Sequence, residues 1–164
     1  MANPLPPVIV ADSSFIFDAL IDAGQGRHVP ARNFANRLIA ANSLLVYSSL
    51  LFLEAPQCWR RLYQRGWLVS KQKGLTPAAD RRNAFLEANT SLEQFLASFN
   101  RHRVNITSSL MQSASDFAAY YELNSHDALV VAVLRDLGIS NLAAIDRDFR
   151  PIDWLQLWDG LLVP

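Results

Sequence analysis

The chain of 164 residues is 51% hydrophobic and 18% charged with a formal net charge of zero and a mean hydropathy of +0.08. That balance fits one compact domain with a real core and gives no global bias toward nucleic acid or membrane. One cysteine, Cys58, excludes an internal disulfide and a cysteine-rich zinc site. No apolar run approaches the roughly 18 residues of a membrane span, and MANPLPP lacks the pattern of a signal peptide, so the expectation is a soluble protein of the reducing cytoplasm. Charge is nevertheless segregated: nine Lys/Arg from Arg60 to Arg103 stand against Asp80, Glu87 and Glu93, a local net of +6 that leaves −6 elsewhere.

Residues 8–11, VIVA, form an unalternating run that predicts a strand buried on both faces of a parallel sheet, ending on Asp12. Phe15, Ile16, Ala19 and Leu20 follow at helical spacing and stop at Gly24 and Gly26. Pro30 opens a second helix with Phe34, Leu38 and Ile39 on its apolar face and Arg32 and Arg37 on its wet one. Residues 43–47 are the second strand candidate. Ser48 or Ser49 is placed to cap a helix from 50 to 59 or as far as 63, in which Pro56 predicts a kink or an irregular start near Glu54.

Residues 66–77 gather turn formers and read as an exposed, mobile connection, after which 80–99 resume a helix. A third short strand is predicted at 103–107, and Ser108 or Ser109 caps the helix that runs to Leu123. Ser125 caps a helix that is apolar all round until Arg135 and ends at Gly138. Residues 141–145 are the fourth strand, and 155–158 are a candidate fifth. This alternation predicts an α/β fold with a central, mostly parallel sheet of four to five strands between helices, and such sheets bind ligands beyond the carboxyl ends of their strands.

Four acids then attract notice. Asp12 and Asp146 each follow a predicted strand, Asp127 opens the buried helix, and Glu54 sits inside the apolar run LLFLEA. Several have a structural role open to them: Asp12 can cap the next helix, Asp127 can complement the helix dipole at about 0.3–1 kcal/mol, and Asp146 and Asp148 can form the turn after the strand. Glu54 fits such a role less well. A buried carboxylate without a partner costs several kcal/mol, a cost relieved by a divalent metal or by a salt bridge to a distant Arg. A parallel sheet would bring the loops of Asp12, Asp127 and Asp146 to one edge, where a hard cation such as Mg²⁺ or Mn²⁺ stabilises clustered carboxylates. Such a site can activate water and stabilise charge on phosphate, the requirements of phosphodiester hydrolysis.

These pieces resemble the PIN-domain family and, within it, the VapC-type toxins of bacterial and archaeal toxin–antitoxin pairs. The resemblance is carried by VIVADSSFIFDAL with Asp12, the helix with Glu54 after SS, SHDALVVAVLRDLG with Asp127, and AAIDRDF with Asp146 and Asp148, in matching order and spacing over residues 8–158. It implies a PIN-like α/β/α sandwich, a single domain over 1–164 with a longer helical or loop segment around 59–82. It further implies a metal-dependent endoribonuclease in which Asp12, Glu54, Asp127 and Asp146 hold Mg²⁺ or Mn²⁺ and an activated water attacks the RNA phosphate. Asp148 is similar to a further acid of the family's last motif, in a supporting role at the metal. Ser14 matches a small hydroxyl position beside the first Asp, and is equally placed as a helix cap. The partners implied are RNA, a small antitoxin protein and a second copy of the chain in a homodimer, with no membrane. Ala144 departs from the family's usual Thr or Ser two residues before the fourth acid, and Pro56 behind Glu54 is unusual.

Arg60, Arg61, Arg65, Lys71 and Lys73, interleaved with Trp59, Tyr63 and Trp67, read either as an RNA-tracking patch or as a solvated helix face with core aromatics. His28, His102 and His126 do not share metal-ligand spacing, and His126 is expected simply to adjoin Asp127. Trp154 and Trp158 are expected as core or interface anchors, and the face of Phe34 and Leu38 as a candidate for dimer or antitoxin docking. Besides the toxin, two functions stay open: a housekeeping PIN nuclease in RNA processing, and a PIN-like nucleic-acid-binding module that does not cut.

Overall fold

The computed structural model of the protein describes residues 4–158. Strands β1 (Val8–Ala11), β2 (Leu44–Ser48), β3 (Asn100–Val104), β4 (Asn141–Ala143) and β5 (Gln156–Trp158) form one sheet in the order β3-β2-β1-β4-β5. Every pairing among them is parallel. Helices α1 (Ser13–Leu20), α2 (His28–Ala40), α3 (Leu51–Gln64), α4 (Pro77–Ala97), α5 (Ser108–Tyr121) and α6 (Ser125–Asp136) cover the two faces.

The apolar strand runs are shared between two cores. Ile9, Ala11, Leu45, Tyr47, Ala143 and Ile145 pack with α1 to α4, whereas Val10, Val46, Leu142 and Ala144 pack with α5 and α6. Successive side chains of a strand point to opposite faces, so runs that do not alternate are needed when both faces are covered. Chain order leaves β1 toward β2 and β3 on one side and returns to β4 and β5 on the other. The crevice between the carboxyl ends of β1 and β4 is therefore the topological switch point of the sheet.

Several local expectations shift. The third strand lies at Asn100–Val104 rather than 103–107, because Leu44 to Ser48 of β2 pair in register with Asn100 to Val104. An edge strand needs no apolar run, and four of its five residues are exposed. The caps of α5 and α6 are Thr107 and Asn124, one residue before the predicted serines. Thr76 caps α4, with Pro77 in its first turn, so that helix starts before residue 80. Helix α1 ends at Leu20, well short of Gly24.

Helix α3 runs unbroken through Pro56. Its irregularity is at the start, where the N–H groups of Phe52 and Leu53 donate three residues back to the carbonyls of Ser49 and Leu50 (3.3 and 2.8 Å). The α3–α4 connection is tied down rather than loose. Its Lys71 N–H donates to the Glu87 carboxylate at 3.1 Å, and the Trp67 ring lies against Gly24, whose φ is +68° and where a Cβ would come within 2.3 Å of the ring. Glycine is required there both for the backbone conformation and for the close approach.

The face of Phe34 and Leu38 is not free for docking. Both are buried, and the Phe34 ring meets Phe15 edge-on and stacks on Trp158 at 5.7 Å. Trp158 is thus the core anchor expected of it, and Trp154 donates to the Tyr121 hydroxyl at 3.3 Å with Arg135 over its ring. Among the described residues no helix is long and apolar enough to cross a membrane.

Candidate metal centre

Asp12 is the first residue beyond β1 and is 7% exposed. Its own N–H donates to the Ala143 carbonyl at 2.9 Å, fastening the end of β1 to β4. Its Oδ2 caps α1, accepting from the Ser14 N–H (2.9 Å) and the Ser14 hydroxyl (2.5 Å). Ser14 is therefore capped rather than capping. Its Oγ in turn accepts from the Ile145 N–H at 3.1 Å, so one hydroxyl joins the loops after β1 and β4. Ala144 is fully buried in the α5/α6 core, and the hydroxyl at this corner comes from Ser14. Burial pushes the Asp12 carboxyl up, the bonds from Ser14 and Ser13 oppose it, and the charge of Asp146 adds to the rise.

Asp127 sits in the first turn of α6, 6% exposed. Asn124 caps that turn: its Oδ1 accepts from the N–H groups of His126 (2.9 Å) and Asp127 (3.0 Å), while its Nδ2 donates to Asp127 Oδ2 at 2.6 Å. Burial, then the charges of Asp12, Asp146 and Asp148, push Asp127 up to about 7, against the pull of the Asn124 bond. Asp146, just past β4, accepts the Asp148 N–H on Oδ1 at 3.1 Å, the turn role expected of it. Both of these aspartates are exposed, at the rim beside buried Asp127. Asp127, Asp146 and Asp148 each offer a carboxylate oxygen within 4.8 Å of the others.

Glu54 reaches the same edge from the first turn of α3. The run around it is not buried throughout: Leu51 and Ala55 point into the core while Leu53 is 70% exposed. The partner Glu54 needed is a histidine rather than an arginine, with His126 Nδ1 2.7 Å from Glu54 Oε1. Burial raises the Glu54 carboxyl, a hydrogen bond from the Ser13 side chain lowers it, Asp12 raises it, and His126 lowers it.

The structure thus joins Asp127, Asp146 and Asp148 directly, with Asp12 within the electrostatic reach of Asp127 and Glu54 within that of Asp12. Asn124, Ser13 and the role of His126 were not anticipated. Asn124 carried a signal, since asparagine is as good a cap as serine. An all-oxygen set of three carboxylates suits a hard dication. A proton retained by Asp127 up to about pH 7 is what such an ion would displace.

The basic segment divides. Arg60, Arg61, Arg65, Lys71 and Lys73 are exposed, but Trp59 is fully buried with its Nε1 donating to Asn89 Oδ1 at 2.7 Å, and Tyr63 donates to Asp80 at 2.7 Å. Trp59 and Tyr63 serve packing, leaving Trp67 as the exposed ring. Cys58 is buried, and that burial pushes its thiol up to about 11.

No protein-family model matches the sequence, and no curated protein matches it. Solved structures do. VapC20 of Mycobacterium tuberculosis, a sarcin-ricin loop cleaving toxin, superposes with a TM-score of 0.59 at 23% identity over 88% of this chain and 95% of its own. VapBC2 of Rickettsia felis, solved bound to a DNA fragment from its promoter, gives 0.60 at 13% identity over 92% and 97%. A toxin–antitoxin complex from Klebsiella pneumoniae gives 0.56 at 11% identity over 94% and 99%. A five-stranded parallel sheet flanked by six helices is the PIN-like fold that this chain shares with structures of VapC-type toxins.

Proposed function

We propose that the protein is a metal-dependent endoribonuclease of the VapC type, the toxin of a toxin–antitoxin pair. The observation that carries this reading is the meeting of Asp127, Asp146 and Asp148 within 4.8 Å of one another, beside buried Asp12, at the switch point of the sheet. In this reading those three carboxylates hold Mg²⁺ or Mn²⁺, with Asp12 and Glu54 completing the acidic edge. A bound dication supplies the charge that polarises water and phosphate oxygens for hydrolysis.

The chain's own groups fix the geometry. Asp12 is locked by Ser14, and Ser14 holds the Asp146 loop through Ile145. Asn124 fixes the orientation of Asp127. A polyanion approaching five carboxylates needs compensating charge, and Arg60, Arg61, Arg65, Lys71 and Lys73 can supply it to the RNA backbone. Arg61 lies seven residues after Glu54 on α3, the same helix face about 10 Å along the axis. A small antitoxin is the partner this reading assigns, with a homodimer as the assembly and the cytoplasm as the location.

The test is cleavage of a mixed, structured RNA pool by purified protein with Mn²⁺ or Mg²⁺, with EDTA, and with Asp12→Asn and Asp127→Asn. Metal-dependent cutting lost in both variants is expected. A well-folded wild type that neither cuts RNA nor binds Mn²⁺ would overturn the nuclease and leave a nucleic-acid-binding module. Growth arrest on induced expression, abolished by Asp127→Asn, separates the toxin from a processing nuclease.

A further inference from the structure

Glu54 and Asp127 belong to helices on opposite sides of the sheet, and His126 joins them. It precedes Asp127 in the first turn of α6, and its backbone N–H is held by Asn124 Oδ1 at 2.9 Å. From this anchored turn the imidazole crosses to α3 and places Nδ1 2.7 Å from Glu54 Oε1. A bond from Nδ1 to a carboxylate requires the proton on that nitrogen.

The Glu54 carboxylate is therefore gripped from α6 by His126, with the Ser13 side chain of α1 lowering its pKa against burial. It stands outside the group whose oxygens converge, Asp127, Asp146 and Asp148. A carboxylate has about four acceptor sites, so the His126 contact leaves it able to accept from water but constrains where it can turn.

We propose that His126 is a positioning residue that holds Glu54 out of the metal's ligand set and aims it as the hydrogen-bond acceptor that orients the attacking water. This rests on the nuclease reading. The division of labour among the acids follows: three aspartates for the ion, one glutamate for the water, and a histidine that keeps the two apart. The His126 side chain is 54% exposed, so replacing it leaves the core intact.

The deciding experiment measures Mn²⁺ affinity by electron paramagnetic resonance without RNA, together with steady-state cleavage, for wild type, Glu54→Gln, His126→Ala, His126→Asn, His126→Gln, Glu54→Gln/His126→Ala and Asp127→Asn. Glu54→Gln and His126→Ala are expected to keep wild-type Mn²⁺ affinity while Asp127→Asn loses it. His126→Ala should lower kcat by about 10- to 100-fold, the range for partners that orient metal-site groups, with KM unchanged. His126→Asn, whose amide nitrogen falls where Nδ1 was, should recover most of kcat. His126→Gln, whose nitrogen falls nearer Nε2, should not. The double variant should be no slower than Glu54→Gln alone.

A tenfold loss of Mn²⁺ affinity in Glu54→Gln would make Glu54 a ligand and overturn the proposal, as would unchanged kcat in His126→Ala or equal failure of His126→Asn. A wild type that binds Mn²⁺ but cuts no RNA overturns the nuclease reading instead, and the Mn²⁺ measurements still decide whether Glu54 stands outside the ligand set.

Discussion

Helices α1 and α6 both begin at the acidic edge, and each places there a carboxylate that is almost wholly buried, Asp12 and Asp127. They differ in what caps the helix. In α1 the acid is its own cap, and Oδ2 is occupied by the amide and hydroxyl of Ser14. In α6 a neutral residue, Asn124, does the capping and also donates to Asp127. Relieved of that work, Asp127 turns toward Asp146 and Asp148 and is pushed up to about 7, while Asp12 is raised chiefly by burial, against the opposing bonds that cap its helix. A carboxylate in a helix's first turn can serve the helix or the site, and the neighbouring cap decides which.

The comparison breaks most visibly at Asp127. Asp127→Asn should lower metal-dependent RNA cleavage by on the order of 10³-fold and raise the melting temperature of EDTA-treated protein at pH 8, because it removes a buried charge repelled by three others. Cleavage rates and thermal melts check the two halves. Asn124→Ala should follow, lowering cleavage by about 10- to 100-fold through a misdirected Asp127 and stability by about 1 kcal/mol through the lost cap. If Asn124 only caps, denaturant titration shows the second loss without the first.

Asp12 sharpens the contrast, since Asp12→Asn preserves a good cap whereas Asp12→Ala also costs about 1 kcal/mol. Equal stability of these two variants would show that Asp12 does not hold α1. Last comes the dependence on pH. A carboxyl whose folded pKa is raised binds more protons folded than unfolded, between its ordinary value of 3.8 and about 7 for Asp127. Stability of the metal-free protein should therefore fall as pH rises through that window and level off above it. Saturating Mn²⁺ should restore stability at pH 8, and a melting temperature indifferent to pH in EDTA would contradict the raised carboxyl.

Much of this was legible in the sequence for a physical reason. VIVA and SLLVY are apolar without alternation because β1 and β2 face a core on each side, and that pattern needs no tertiary knowledge. β3 was misplaced because its edge position frees Asn100 to Arg103 from any apolar requirement. Caps slipped by one residue because Thr107 and Ser108, or Asn124 and Ser125, are near-equal acceptors, and the geometry of the preceding loop chooses between them. The amphipathic pattern told which side of α2 is apolar but not that Phe15 and Trp158 cover it. The acids stood out as residues an apolar fold must explain. The Glu54 to His126 contact did not, because it depends on how α3 and α6 approach each other, which no local spacing encodes.

The hydroxyl of Ser14 and the amide of Ile145 are 131 positions apart along the chain, and β1 lies between a neighbour made early, β2, and one made late, β4. Domains fold while they are still being synthesised, beginning from the N-terminal end. A nascent chain that has already produced Asp12 and Glu54 still lacks Asp127, Asp146 and Asp148, and its central strand still lacks one flank. The acidic edge is complete only once Asp146 and Asp148 have been made. Under the ribonuclease reading proposed above, that order of assembly keeps the emerging chain without a complete acidic edge until those last aspartates are made.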